Sequence, residues 1–93
     1  MANIANFGPK LKELRMILCQ TSEASSGIRA FIREHYVELK GKNPQVPILV
    51  RECSGVVPKI YARFEKGREA NVNVSNLNSS EILRRLNDLA SSG

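Results

Sequence analysis

Leu14-Arg-Met-Ile-Leu-Cys19 and Pro47-Ile-Leu-Val-Arg-Glu-Cys53 are two apolar stretches that each end on a cysteine. Both are typical of β-strands, and a helix-length segment separates them, which predicts a βαβ unit. The two strands of such a unit run parallel, so as sheet neighbours they end at the same edge. Neighbouring strands lie about 4.8 Å apart, and a disulfide needs Cα atoms roughly 4.4–6.8 Å apart. Cys19 and Cys53 are therefore predicted to lie close enough to be linked.

The remaining patterns predict the rest of the fold. Apolar residues at helical spacing predict a helix over 27–40. Alternating apolar and polar residues predict strands over 59–65 and 70–74, and Asn78 with Glu81 resembles a capping box that opens a terminal helix. The order β-α-β-β-β-α predicts a thioredoxin-like α/β fold with a four-stranded mixed sheet, two main helices and a reduced middle helix. Residues 1–10 are expected to be a flexible N-terminus, and 11–93 to form this domain.

Composition narrows the classes of function. The chain has 93 residues, a net charge of +5 and two cysteines. No apolar run approaches the roughly 20 residues that span a bilayer, so no direct membrane insertion is expected. The positive charge suits acidic proteins, anionic headgroups or RNA, but the basic residues are scattered, which argues against nucleic acid. The N-terminus lacks a secretory signal, and two cysteines are too few for a secreted disulfide scaffold, which indicates an intracellular protein.

The cysteines allow three interpretations. Thioredoxin-type catalysis uses Cys-x-x-Cys, whereas this chain has Cys19-Gln-Thr-Ser22, so Cys53 would have to act as the resolving thiol from the neighbouring strand. The other two interpretations are a slow structural or sensing disulfide and a pair of thiols that pack as small apolar groups. The fold analogy also predicts a cis peptide bond before Pro58, where the chain must reverse after Cys53.

Other side chains suggest an interface more than a catalytic centre. Arg51 and Arg63 lie within predicted strands, where they either pair across strands on a solvated face or contact another protein. Both helices are expected to pack on one side of the sheet, which leaves the opposite face, with these arginines, poorly covered. His35 is the only histidine, and no carboxylate pair, nucleophile motif or phosphate-binding loop is present. No catalytic residue, metal site or cofactor is therefore predicted.

Several strings resemble one known family. They are 12–20 (KELRMILCQ), 36–40 (YVELK), 43–54 (NPQVPILVRECS) and 58–64 (PKIYARF). Together they are similar to the small thioredoxin-fold accessory subunits of mitochondrial NADH:ubiquinone oxidoreductase, complex I. The resemblance covers about 11–89. Two positions depart from the family, which often has tryptophan at Tyr61 and tyrosine at Phe64, and both departures retain an aromatic side chain.

The resemblance implies a non-catalytic subunit that supports assembly or stability of the NADH-oxidising module in the peripheral arm. It implies a location on the matrix side of the mitochondrial inner membrane, beside other complex I subunits and the large iron–sulfur subunit in particular. It also implies that Cys19 and Cys53 form a redox-sensitive pair that can close a disulfide. Two alternatives remain: a mitochondrial ribosomal protein of the same fold family, and a thiol-disulfide oxidoreductase.

Overall fold

Six main elements follow one another in the predicted order. The computed structural model describes Phe7 and residues 9–91, so most of the predicted flexible segment 1–10 lies outside the described residues. The elements are β1 (Leu11–Leu18), α1 (Ser26–Lys42), β2 (Ile48–Glu52), β3 (Lys59–Phe64), β4 (Glu69–Asn73) and α2 (Ser79–Ser91). Short 3-10 helices span Glu23–Ser25 and Glu65–Gly67.

The four strands form one mixed sheet in the order β2-β1-β3-β4. β1 pairs in parallel with β2 and antiparallel with β3, and β3 pairs antiparallel with β4. This confirms the predicted α/β class with a four-stranded mixed sheet and two main helices. Residues 53–58, which join β2 to β3, form a turn and contain no helix. The crossover between parallel β1 and β2 is α1, as the βαβ pattern predicts.

Both helices cover the same face of the sheet. Alternate strand residues on that face are buried, as are the apolar stripes of the two helices. The fully buried side chains at the centre of this core include Leu14, Met16, Ile28, Phe31, Leu39, Ile60, Ile82 and Leu86. Burial of this apolar area at roughly 25 cal/mol per Å² is the main contribution to stability. Neither described helix combines the length and apolar character that a membrane crossing requires.

α1 ends two residues beyond its predicted end at residue 40. The helix continues through Gly41 to Lys42, and the backbone N–H of Asn43 donates to the carbonyl of Leu39 at 3.1 Å. The Asn43 side chain is fully buried, donates from Nδ2 to the Leu39 carbonyl at 3.2 Å and accepts the backbone N–H of Phe7 at 2.7 Å. A buried amide thus ends the helix and holds the chain that precedes β1.

The prediction of a cis peptide bond before Pro58 is wrong. No cis peptide bond occurs in the described residues, so the Val57–Pro58 bond is trans. The chain reverses earlier, through a turn in which the Val56 N–H donates to the Cys53 carbonyl at 3.4 Å. Gly55 in this turn has a φ of +73°, a conformation that glycine adopts without steric penalty. Because the reversal is complete before Pro58, an ordinary trans bond suffices there.

Candidate functional site at the cysteine edge and the uncovered sheet face

The parallel register brings the two cysteines to one edge of the sheet. Leu18, the last residue of β1, is aligned with Glu52, the last residue of β2, and Cys19 and Cys53 follow directly. The backbone N–H of Cys53 donates to the Leu18 carbonyl at 2.9 Å, which extends the ladder by one step. Both thiols are free, and the Cys19 side chain is buried whereas that of Cys53 is exposed.

A small surface cavity opens at this edge. Its volume is about 230 Å³. Its lining comes from the ends of both strands and the turns that follow them: Cys19, Gln20, Thr21, Glu52, Cys53 and Ser54. The two thiols therefore face a common, polar, solvent-connected space.

Backbone N–H groups surround the Cys19 sulfur. Hydrogen bonds from the backbone of Thr21 and Gly55, with smaller contributions from the Thr21 hydroxyl and the Ser22 backbone, lower the pKa of the Cys19 thiol from 9.0 to about 6. The Thr21 Oγ1 lies 3.7 Å from the sulfur. Burial opposes the shift because it favours the neutral thiol, and the hydrogen bonds prevail. A pKa of about 6 favours the thiolate form of Cys19 at neutral pH, and the thiolate is the form that acts as a nucleophile.

The loop that carries the Thr21 and Ser22 donors is held by Ser25, just before α1, and by Arg29 within α1. The Cys19 N–H donates to the buried Ser25 Oγ at 3.0 Å. The Arg29 guanidinium donates to the carbonyls of Cys19 and Ser22, both at 2.8 Å. The Ser22 hydroxyl oxygen is buried and has no hydrogen-bond partner among the described residues. The loop is thus fixed by its backbone, while the serine at the position of a resolving cysteine makes no hydrogen bond through its side chain.

The second candidate region is the sheet face opposite the helices, called here the open face. Its residues alternate with the buried ones and come from all four strands. They are Glu13, Arg15, Ile17, Leu49, Arg51, Lys59, Tyr61, Arg63, Glu69, Asn71 and Asn73. No helix or strand of the described chain covers them. Both predicted interface residues, Arg51 and Arg63, lie on this face and are exposed.

Charged side chains at the centre of the open face pair with one another. Arg15 contacts Glu13 at 3.3 Å and Glu69 at 3.0 Å, and its Cζ lies 5.3 Å from the centroid of the Tyr61 ring. Arg63 contacts Glu13 at 3.3 Å, so cross-strand pairing holds for this arginine. Arg51 has no such partner in residues 9–91, and its charge is directed to solvent. The open face therefore carries excess positive charge.

A groove on the open face is mostly apolar. It has a volume of about 230 Å³ and is lined by Ile17, Val56, Val57, Lys59 and Tyr61. Val57 is 48% exposed there. Exposed apolar side chains beside arginine and tyrosine are the composition found at protein interfaces.

Sequence reasoning missed several residues of these two regions. Alternation within the strands could have placed Arg15 and Tyr61 beside Arg63, because all three share one face. No local pattern indicates that Arg29 donates to the carbonyls of the cysteine loop, since this contact depends on how α1 packs. Glu52 alternates away from Arg51 and lines the cysteine cavity.

His35 packs against Phe31 with ring centroids 5.2 Å apart, and the described residues contain no cluster of three metal-ligating side chains.

The chain is similar to known proteins over most of its length. Residues 28–79 match the family described as mitochondrial ribosomal protein L51 / S25 / CI-B8 domain. The chain is 45% identical over 93 residues, 100% of this chain and 96% of the relative, to NADH dehydrogenase [ubiquinone] 1 alpha subcomplex subunit 2 of Arabidopsis thaliana. It is 47% identical over 81 residues, 87% of this chain and 82% of the relative, to the Mus musculus protein of the same name.

A fungal protein is similar to the same extent. The NADH-ubiquinone oxidoreductase 10.5 kDa subunit of Neurospora crassa is 41% identical over 83 residues, 89% of this chain and 88% of the relative. Plant, animal and fungal relatives thus match the described domain and carry names that refer to one respiratory enzyme.

Proposed function

Because this chain belongs to the family of NADH dehydrogenase [ubiquinone] 1 alpha subcomplex subunit 2, we propose that it is an accessory subunit of mitochondrial complex I. The observation that carries the proposal is the 45% identity to the Arabidopsis thaliana relative over 100% of this chain. In this proposal the subunit is non-catalytic, lies on the matrix side in the peripheral arm, and supports assembly or stability of the NADH-oxidising module. Its partners are other complex I subunits.

The part of the open face formed by β2, β1 and β3 is the proposed contact with the large iron–sulfur subunit, and the outer strand β4 lies outside this contact. Arg51 directs an unpaired charge to solvent, and Val57 and Tyr61 offer apolar area beside it. An acidic surface on the partner would complement Arg51 and Arg63, which steers association and fixes register. The pairing of Arg63 with Glu13 keeps its side chain in place before the partner arrives.

Cys19 and Cys53 are proposed as a redox-sensitive pair within the same domain. The thiolate character of Cys19 and the cavity shared with Cys53 support this role. In the proposed reaction the Cys19 thiolate attacks one sulfur of glutathione disulfide and releases one glutathione thiolate. The Cys53 thiol, deprotonated by solvent, then displaces the second glutathione and closes the protein disulfide. The two protein thiols lose two electrons and two protons, and one glutathione disulfide becomes two molecules of glutathione.

The matched family description also includes mitochondrial ribosomal proteins, which makes a ribosomal subunit the second candidate. The similarity over most of the chain to proteins named as NADH dehydrogenase subunits favours complex I. The carboxylates of Glu13 and Glu69 pair with arginines of the open face and would repel RNA phosphates, which also argues against RNA.

Co-purification separates the two candidates. The chain, tagged after its last residue and expressed in its own mitochondria, is expected to co-migrate with NADH dehydrogenase activity on a native gel. Mass spectrometry of the tagged material should recover the large iron–sulfur subunit at a level near that of the bait. Co-sedimentation with mitochondrial ribosomes, or migration as a free protein, would contradict the proposal.

The redox proposal has its own measurement. The purified chain is equilibrated with mixtures of reduced and oxidised glutathione, and thiol content is followed by alkylation and mass spectrometry. A closed intramolecular disulfide should form, with a mixed disulfide on Cys19 accumulating in the Cys53→Ser variant. Mixed disulfides that remain on both cysteines of the unmodified chain would contradict the paired role.

A further inference from the structure

β2 is an outer strand of the sheet, so the backbone groups on its outer side have no neighbouring strand in the described chain. The Pro47 carbonyl accepts the Leu14 N–H at 3.0 Å, and the Cys53 N–H donates to the Leu18 carbonyl at 2.9 Å. In a parallel pair, the residues that bond to the neighbour alternate with those that point away. The N–H and C=O groups of Ile48, Val50 and Glu52 therefore point outward, where no strand of the described chain lies.

The two outer strands differ in the polarity of their exposed side chains. At β4 the alternate exposed residues are Glu69, Asn71 and Asn73, which are polar. At β2, by contrast, Leu49 is 38% exposed and Val50 is 40% exposed. Proteins usually protect outer strands with charge, proline or a covering segment because an apolar free edge pairs with other chains. β2 has apolar side chains on both faces next to its free backbone groups.

A groove runs along the free edge of β2, between this strand and α1. It has a volume of about 360 Å³. Its apolar part is formed by Leu18, Ile32 and Val50, and its charged rim by Arg29, Arg33 and Glu52. An added strand would direct every second side chain into this groove and the alternate ones toward the open face.

The charges around this edge select the occupant. Arg33 on α1 is exposed and has no acidic partner within residues 9–91, and Arg51 on β2 is in the same situation on the opposite face of the sheet. Arg29 is engaged with the Cys19 and Ser22 carbonyls and is not available to a ligand. A second copy of this chain would bring the same arginines together and has a net charge of +5 itself. An acidic partner satisfies both arginines.

We propose that β2 is a docking edge for an extended acidic segment of another complex I subunit, which adds to the sheet as a fifth strand. An apolar side chain of this segment fills the groove beside Ile32 and Val50, and carboxylates on its two faces meet Arg33 and Arg51. This proposal rests on the proposed function and specifies how the partner is held. It makes the sheet edge and the adjoining part of the open face one continuous interface.

Two matched proline variants test the backbone part of the proposal. Val50→Pro removes an outward N–H without removing a bond to β1, and proline is tolerated on an outer strand when its nitrogen faces away from the sheet. Asn71→Pro is the control on β4, because the Val74 N–H bonds to the Pro58 carbonyl and the Phe64 N–H to the Arg68 carbonyl, which places the Asn71 N–H outward. Incorporation of each tagged variant into complex I is measured by native gel and mass spectrometry.

Val50→Pro should reduce incorporation at least tenfold, whereas Asn71→Pro should incorporate like the unmodified chain. Both purified variants are first checked for a cooperative thermal transition. Equal incorporation of Val50→Pro and the unmodified chain would overturn the docking edge. If the unmodified chain itself does not enter complex I, the proposed function fails, and the docking edge with it.

A charge-reversal pair tests the same edge without altering the strand. Arg33→Glu should reduce incorporation at least fivefold, and Arg84→Glu, an exposed substitution on α2, should leave it unchanged. This pair decides the matter even if Val50→Pro does not fold. Unchanged incorporation of Arg33→Glu, or a dimer of the purified chain that Val50→Pro dissociates, would overturn the proposal of an acidic partner segment.

Discussion

The backbone N–H of Phe7 donates a hydrogen bond of 2.7 Å to Oδ1 of Asn43, although 36 positions separate the two residues. The Asn43 amide is fully buried and also donates to the Leu39 carbonyl at the end of α1. One side chain thus joins the last turn of a helix to the segment that enters the first strand. Phe7 itself is 6% exposed and belongs to the core.

Replacing Asn43 with alanine should destabilise the protein by about 2 kcal/mol, because the buried Phe7 N–H loses its acceptor. The measurement is chemical denaturation followed by circular dichroism. Asn71→Ala, at an exposed position of β4, is the control and should change the free energy of unfolding by no more than about 0.5 kcal/mol. Equal denaturation midpoints for the two variants would contradict the structural role of the amide.

Gly27 and Gly41 lie in the same helix but should respond oppositely to alanine. A Cβ at Gly27 would overlap the carbonyl oxygen of Leu77, whereas a Cβ at Gly41 meets nothing within 4 Å. Gly27→Ala should therefore destabilise the protein by about 1–3 kcal/mol through overpacking. Gly41→Ala should stabilise it by about 0.5–1 kcal/mol through helix propensity. Thermal unfolding distinguishes the two, and a stabilised Gly27→Ala variant would show that the close approach is absent.

The Cys19 thiol should titrate well below its usual range. In the Cys53→Ser variant, thiolate absorbance at 240 nm should rise with a midpoint near the pKa of about 6. Because this pKa is lowered on folding, the thiolate contributes stability fully above pH 9, and the contribution is lost as the pH falls through about 6. The gap in stability between Cys53→Ser and the doubly substituted Cys19→Ser, Cys53→Ser variant should follow this direction. A midpoint near pH 9 would be inconsistent with the hydrogen bonds to the sulfur.

Gly55 should influence that titration because its backbone N–H helps to stabilise the thiolate. Its φ is +73°, so Gly55→Ala strains the turn and moves this donor, and the pKa of Cys19 should rise. Gly67→Ala is the matched control, since Gly67 has a φ of +74° and lies in the turn before β4. Both variants should lose about 1 kcal/mol of stability. The same thiol pKa in both would mean that the Gly55 donor is unimportant.

Insulin reduction tests whether the cysteine edge can act as a disulfide reductase. The chain should remain near background, because Ser22 occupies the position of a local resolving thiol and Cys53 follows another strand, β2. Ser22→Cys supplies the missing thiol next to a thiolate and should raise the rate severalfold. Ser22→Ala is the control for the packing change. Turnover by the unmodified chain at the level of a thioredoxin would support the catalytic alternative.

The sequence by itself determined the elements, their order and the pairing of the first two strands. Periodicity and turn residues were sufficient because each element buries one face, and the βαβ pattern allows essentially one connection. The same reasoning placed Cys19 and Cys53 at one sheet edge and Arg51 and Arg63 on one face. The predicted bounds 27–40, 59–65 and 70–74 differ from those of α1, β3 and β4 by no more than two residues at each end.

Only the tertiary structure decided the contacts and hydrogen bonds that these residues make. The low pKa of Cys19 depends on donors from Thr21 and Gly55, which come from two different turns. The reversal before Pro58 depends on the φ of Gly55, and no local pattern requires a cis bond or excludes one. Contacts such as that between Asn43 and Phe7, and a free edge beside the groove at Val50, join positions distant in sequence. Their geometry follows from how the helices and strands pack, which local sequence patterns do not encode.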